Sequence, residues 1–210
     1  MRLCVLDVDS TLITAEVIEL IAARAGTREL VAEITERAMR GELDFAASLR
    51  ERVATLAGIP DSVFAEVRAE VEFTPGAPEL IAGLQAEGWE VALVSGGFEE
   101  IVGSLAASVG ITRFRANRLE VDDARLTGRT IGPVIDRAAK AATLREFAAE
   151  VGCALEDAVA IGDGANDLDM MGVAGLGIAW HAKPIVQEQA DIALNGARLD
   201  EALPLILARG

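Results

Sequence analysis

Apolar residues follow two different periods along this chain. Leu3-Cys4-Val5-Leu6 is an unbroken apolar run halted by Asp7 and Asp9. A run without polar alternation fits a strand buried on both faces of a parallel sheet, so the two carboxylates fall at its carboxyl end. Between Ala15 and Val71 the spacing turns helical, in four stretches marked by Val17, Leu20 and Ile21; Leu30, Val31 and Ile34; Phe45, Leu49, Val53 and Leu56; and Val63, Phe64, Val67 and Val71. Each stretch lays its apolar side chains along one stripe, and Gly26, Gly41 and Gly58-Ile59-Pro60 punctuate them. Four amphipathic helices with short connections predict an antiparallel bundle.

After Thr74-Pro75-Gly76 strands and helices alternate. A helix carries Leu80, Ile81 and Leu84, a strand covers 91–94, and a helix carries Ile101, Val102 and Leu105. A hairpin is expected at the periphery, over 114–121 and 125–129 around Asp122-Asp123-Ala124. A helix over 138–151, a strand over 158–162, a helix near Leu168, and strands over 176–179 and 191–194 complete the pattern. The fold class expected is α/β, a doubly wound, mostly parallel sheet built from residues 1–13 and 74–210, with a four-helix cap inserted at 14–73. Such sheets bind ligands beyond the carboxyl ends of their strands, the edge where Asp7, Asp9, Ser95 and Asp163 fall.

Composition narrows the possible partners. A chain of 210 residues, 51% hydrophobic and 25% charged, has room for one core plus a small insert. No apolar run approaches the roughly 18 residues of a membrane span, and the first run is too short for an export signal. A cytoplasmic setting is therefore expected, with Cys4 and Cys153 as reduced core or near-core residues. The net charge of −15 argues against nucleic acid and anionic membranes, which leaves a small-molecule substrate. Only two of the 19 basic residues, Lys140 and Lys183, are lysines.

Asp7-Val8-Asp9-Ser10-Thr11-Leu12 places two carboxylates two positions apart at a strand exit. A carboxylate is a competent nucleophile toward phosphorus and gives an acyl phosphate that water hydrolyses, the role expected for Asp7. Asp9 is placed to protonate the leaving oxygen and then to deprotonate water. Gly162-Asp163-Gly164-Ala165-Asn166-Asp167 brings a second acidic group to the same edge. Oxygen donors there suit Mg²⁺, held by Asp7, Asp163 and the main-chain carbonyl of Asp9, which relieves the repulsion between a phosphomonoester dianion and its carboxylate nucleophile. Nucleotide-loop patterns do not fit, since the sixth position is Asp167 and no GKS or GKT follows. Val94-Ser95-Gly96-Gly97-Phe98 reads as a strand-to-helix turn whose hydroxyl and N–H groups make an anion site, and Lys140 offers a positive charge to the transferring group. Each of these has a plain structural alternative: a capped turn for the aspartates, an ordinary turn for the glycines, a solvated helix face for the lysine.

Taken in order, DVDST, SGG, a lone lysine and GDGAND resemble the haloacid dehalogenase superfamily of phosphotransferases. The helical insert and the strings VSGGF, FRANRL, LTG, GDGANDLDM and HAKP are similar, over nearly the whole chain, to the phosphoserine phosphatase family within it. The resemblance implies Mg²⁺-dependent hydrolysis of O-phospho-L-serine, with Asp7 as nucleophile, Asp9 as acid and base, and Asp7, Asp9 and Asp163 as metal ligands. It also implies that Glu16 receives the substrate ammonium and Arg52 its carboxylate, that Ser95, Gly96, Lys140 and Asn166 hold phosphate, and that Asp167 supports the metal or the lysine. A zwitterion needs one fixed anion and one guanidinium fork; Arg50 is the rival to Arg52. Met39 and Phe45 are candidates for the pocket wall, a place that core packing explains equally well. Asp169 reads as a first-turn helix residue and His181 as structural. Many relatives carry a regulatory domain ahead of the catalytic part, and control through one is not expected here. Two alternatives remain: transfer of the same phosphoryl group to an alcohol such as homoserine, or action on another small phosphomonoester. A signalling receiver module has no use for the helical insert.

Overall fold

The structure, a computed structural model, describes residues 1–39 and 42–208, apart from the side chains of residues 36, 38 and 39. Gly41, expected at a helix boundary, and the Met39 side chain, expected on the pocket wall, lie outside the described residues.

Strands β1 (Arg2–Leu6), β2 (Trp89–Phe98), β3 (Arg113–Asp122), β4 (Arg125–Ile131), β5 (Ala158–Gly162), β6 (Leu176–Trp180) and β7 (Ile192–Leu194) form one sheet in the order β4-β3-β2-β1-β5-β6-β7. Every neighbouring pair is parallel except β3 and β4. The continuous apolar runs of β1, β5 and β6 occupy the middle because both of their faces are covered. Cys4 and Leu6 point into one apolar layer, with Leu80 and Ile81 of α5 (Ala77–Ala86), Ile101 and Val102 of α6 (Glu99–Ser108) and Ile206 of α10 (Ala202–Leu207). Leu3 and Val5 point into the other, with Leu144 and Phe147 of α7 (Arg137–Val151), Met170 of α8 (Leu168–Val173) and Val186 of α9 (Pro184–Gln187). This alternation is the period of two that a strand imposes.

The insert is helical as its spacing predicts: α1 (Val17–Ala25), α2 (Arg28–Met39), α3 (Phe45–Ala54) and α4 (Val63–Glu70). Entry and exit meet in an antiparallel bridge between Ile13 and Phe73, flanked by hydrogen bonds from Thr74 N to Leu12 O and from Thr14 N to Glu72 O. Val17, Ile21, Leu49, Val53 and Val67 belong to the same apolar cluster as Cys4 and Leu6, so the insert shares a core with the sheet face.

Two expectations need correcting. β2 does not stop at Val94; it runs on through Ser95, Gly96 and Gly97 to Phe98, and α6 begins only at Glu99. The SGG segment is therefore an irregular strand end and not a helix start. The hairpin is less peripheral than its polar turn implies, since β3 pairs with β2 inside the main sheet and only β4 forms the edge. Helices α9 and α10 lie where the sequence pattern gives no expectation; Pro184 opens its helix, the first-turn place that tolerates proline.

Candidate active site

Register explains why distant motifs converge. Leu6 of β1 is level with Leu93 of β2 on one side and with Ile161 of β5 on the other. Asp7 and Asp163, just past the ends of β1 and β5, therefore leave the sheet side by side, and Ser95 stands beside them within β2. Asp7 remains tied to β5 by a hydrogen bond from its N–H to Ile161 O. Beyond it Val8–Leu12 forms a tight irregular turn with Ser10 at φ 57°. The turn carries the Asp9 carboxylate to the start of α1, where Oδ1 accepts from Val17 N at 3.2 Å.

Lys140 reaches this edge from α7, whose start is set by Asp136, its carboxylate accepting from Ala139 N. The lysine is fully buried, and its Nζ donates to Asp7 Oδ1 at 2.6 Å and to Asp167 Oδ1 at 2.7 Å. Asp167 also accepts from Gly164 N, which curls the loop back on itself. Gly162 is required there, because a Cβ on it would lie 2.5 Å from the Asp167 carboxyl carbon. Thr11 Oγ1 donates to Asp163 Oδ1 at 3.3 Å.

Negative charge exceeds positive charge in this cluster. Burial, together with the Asp167 and Asp163 carboxylates, pushes the Asp7 carboxyl up against the pull of Lys140. Burial and Glu16 push Asp9 up to about 8, and burial and Asp167 push Asp163 up to about 7. Burial disfavours the charge on Lys140, but Asp167 and Asp7 outweigh it and hold its pKa above the ordinary lysine value. Carboxylate oxygens of Asp7, Asp163 and Asp167 lie within 4.8 Å of one another. An all-oxygen set short of positive charge fits a hard divalent cation. The Asp9 side chain is not in that group.

A cavity of about 620 Å³ opens above the cluster, lined by Asp7, Asp9, Asp163 and Asn166 on the sheet side and by Glu16, Phe45 and Arg52 on the insert side. Glu16 accepts from the Ser10 hydroxyl at 2.6 Å. Burial lowers the pKa of Arg52, against the carboxylates of Glu16, Asp9 and Glu19. Arg50 is exposed and does not line the cavity. Gly96 lies on the cavity wall, whereas Ser95 and Lys140 stand behind it; Ser95 Oγ accepts from Gly97 N at 2.8 Å. Asp169 pairs with Arg137, and His181 bonds Gly196 O at 2.8 Å and packs edge-on against Trp180.

The wall also includes residues to which the sequence assigns no site role: Ile18, Thr35, Leu43, Ser48 and Leu49 from the insert, and Lys183 and Ile185 after β6. The apolar insert residues carry a helical period, but that period marks burial and not which buried face meets a cavity. His181, read only as structural, lines the rim as well.

Residues 4–172 match the family of haloacid dehalogenase-like hydrolases. The chain belongs to that family. It is 56% identical over 205 residues to the phosphoserine phosphatase of Streptomyces coelicolor, covering 98% of this chain and 50% of that protein. It is 50% identical over 204 residues to the phosphoserine phosphatase of Streptococcus thermophilus, covering 97% and 95%. A solved substrate-bound phosphoserine phosphatase complex superposes with a TM-score of 0.92 at 43% identity, covering 97% of each chain. The chain thus spans about half the length of the Streptomyces relative and nearly all of the Streptococcus one.

Proposed function

We propose that this chain hydrolyses O-phospho-L-serine to L-serine and phosphate through a phosphoryl group carried on Asp7. One observation carries the reading: a single cavity has the Asp7, Asp9 and Asp163 carboxylates on its floor and an opposed acid and base, Glu16 and Arg52, on its insert wall. The names and full-length similarity of the relatives support the substrate.

Lys140 holds Asp7 Oδ1, which leaves Oδ2 to attack phosphorus. As that bond forms, the ester P–O bond breaks and Asp9 gives its proton to the serine oxygen. In the second half Asp9 takes a proton from water, the water oxygen attacks phosphorus, and the bond to Asp7 breaks to release phosphate. Mg²⁺ held by Asp7, Asp163 and the Asp9 carbonyl would offset the repulsion between dianion and carboxylate. Glu16 and Arg52 orient the substrate by its ammonium and carboxylate. Gly96 and Asn166 face the phosphoryl group from the wall, and Ser95 acts from just behind.

We read residues 14–73 as a cap over a core of 1–13 and 74–210, one that keeps water from the phosphoenzyme until the serine leaves. The test is phosphate release from O-phospho-L-serine with and without Mg²⁺, compared by kcat/KM with phosphothreonine, phosphoethanolamine and an aryl phosphate. A strong, Mg²⁺-dependent preference for phosphoserine is expected. Equal turnover of all four would withdraw the substrate, and a phosphorylated alcohol in place of free phosphate would turn the reading to a transferase.

A further inference from the structure

The irregular end of β2 is held by one side chain from β3. Val94 is level with Arg115 and Phe98 with Asn117, so Ser95, Gly96 and Gly97 face the single residue Ala116. Such a bulge interrupts the ladder hydrogen bonds. Asn117 supplies replacements: its Nδ2 donates to Gly96 O at 2.8 Å, and its Oδ1 accepts from Ile135 N at 2.8 Å. Only one orientation of the amide satisfies a carbonyl on one side and an N–H on the other. The residue is 2% exposed, with its bond to Ile135 buried and its bond to Gly96 partly so.

The consequence reaches Ser95. The carbonyl that Asn117 grips belongs to the Gly96–Gly97 peptide, and the N–H of that same peptide donates to Ser95 Oγ at 2.8 Å. One rigid plane therefore connects the Asn117 amide to the Ser95 hydroxyl. With an oxygen lone pair taken by Gly97, the Ser95 proton is left for another acceptor. From the insert side the Phe45 ring closes on Gly96, its Cζ 3.2 Å from where a Cβ would stand, so the peptide is fixed from front and back.

We propose that Asn117 is a positioning residue for phosphoryl transfer, acting on the Ser95 hydroxyl through the Gly96–Gly97 peptide. The proposal rests on the phosphatase reading above but not on the identity of the alcohol, since it concerns the phosphoryl side alone. It also ties the β3–β4 hairpin to the chemistry, because Asn117 and the loop leading to α7 meet at Ile135.

The test is a double-mutant cycle of Asn117→Asp with Ser95→Ala, measured on O-phospho-L-serine and on p-nitrophenyl phosphate. Aspartate keeps the acceptor for Ile135 N–H and, ionised, loses the donor for Gly96 O. In the Ser95 background kcat is expected to fall about tenfold or more on both substrates, the scale of a misplaced catalytic group. In the Ser95→Ala background the same change is expected to cost less than about twofold, since neighbours acting through one path are not additive. Inorganic phosphate affinity, measured by calorimetry with Mg²⁺ present, supplies the same cycle without turnover and should show the same non-additivity. Equal fold-losses in both backgrounds, or a fall in Tm with kcat retained, would overturn the proposal. Loss of the phosphoserine preference in the unaltered chain would instead remove the substrate and leave the cycle readable. Asn117→Leu, which removes both bonds without adding a charge, should likewise lower kcat in the Ser95 background and cost less than about twofold beside Ser95→Ala; equal losses in both would also count against it.

Discussion

Lys140 Nζ lies 2.6 Å from Asp7 Oδ1, with the lysine fully buried and the aspartate nearly so. A buried ion pair is a poor source of net stability, because taking both charges out of water costs about what their attraction returns. Its use here is positional. The ammonium fixes one oxygen of the proposed nucleophile and keeps a carboxylate crowded by two others in place.

Replacing the lysine should therefore unfold the protein more readily than replacing its partner. Lys140→Met leaves Asp7 and Asp167 buried without their cation, and a loss of about 3–5 kcal/mol is expected. Asp7→Asn leaves the lysine its bond to Asp167, so a smaller loss is expected. Urea unfolding of the two variants checks the order; equal midpoints would contradict it.

Asp7→Asn should abolish turnover while leaving the fold intact, since the amide is nearly the same size. A fall of at least about a thousandfold in kcat is expected, with no acid-stable, alkali-labile phosphate on the chain after quenching. Residual activity near that of the unaltered protein would remove Asp7 from the nucleophile role.

Divalent cation should stabilise the folded chain. Asp7, Asp163 and Asp167 converge with Lys140 as the only buried cation among the described residues, so the proposed Mg²⁺ would bind the folded state in preference to the unfolded one. At a hundred times the dissociation constant the gain is about 2.7 kcal/mol. Thermal unfolding with and without 10 mM MgCl₂, which is that excess for a dissociation constant of about 0.1 mM, should show the rise, and Asp163→Asn should blunt it. A Tm indifferent to Mg²⁺ would count against the metal assignment.

Arg52 and Arg50 should separate cleanly. Arg52→Ala removes the guanidinium from the cavity wall and should lower kcat/KM on phosphoserine by about a hundredfold, the scale of a lost charge-assisted bond. The effect on phosphoethanolamine, which has no carboxylate, should be far smaller. Arg50, exposed and off the wall, should tolerate alanine within about twofold. Equal losses on both substrates would take Arg52 out of substrate selection.

The legible parts of the chain are those whose physics is local. β1, β5 and β6 could be read because strands covered on both faces are apolar throughout, and α1 to α4 because a buried stripe leaves a period in the sequence. Asp7 and Asp163 could be placed at one edge because each follows such a strand. Arg52 could be named only through resemblance, and the choice against Arg50 needed the orientation of α3.

What the sequence determined by itself was the alternation of strand and helix, the helical insert after the first strand, and the acidic chemistry at the strand ends. Tertiary structure alone decided that Ser95-Gly96-Gly97 extends a strand, that β3 joins the main sheet, that Ser95 and Lys140 stand behind the cavity wall, and that His181, Lys183, Ile185 and Val186 line it. The reason is physical. Each of those facts is set by a contact between residues far apart in the chain, such as Asn117 with Gly96 or Lys140 with Asp7, and such a contact leaves no period in the sequence on either side of it.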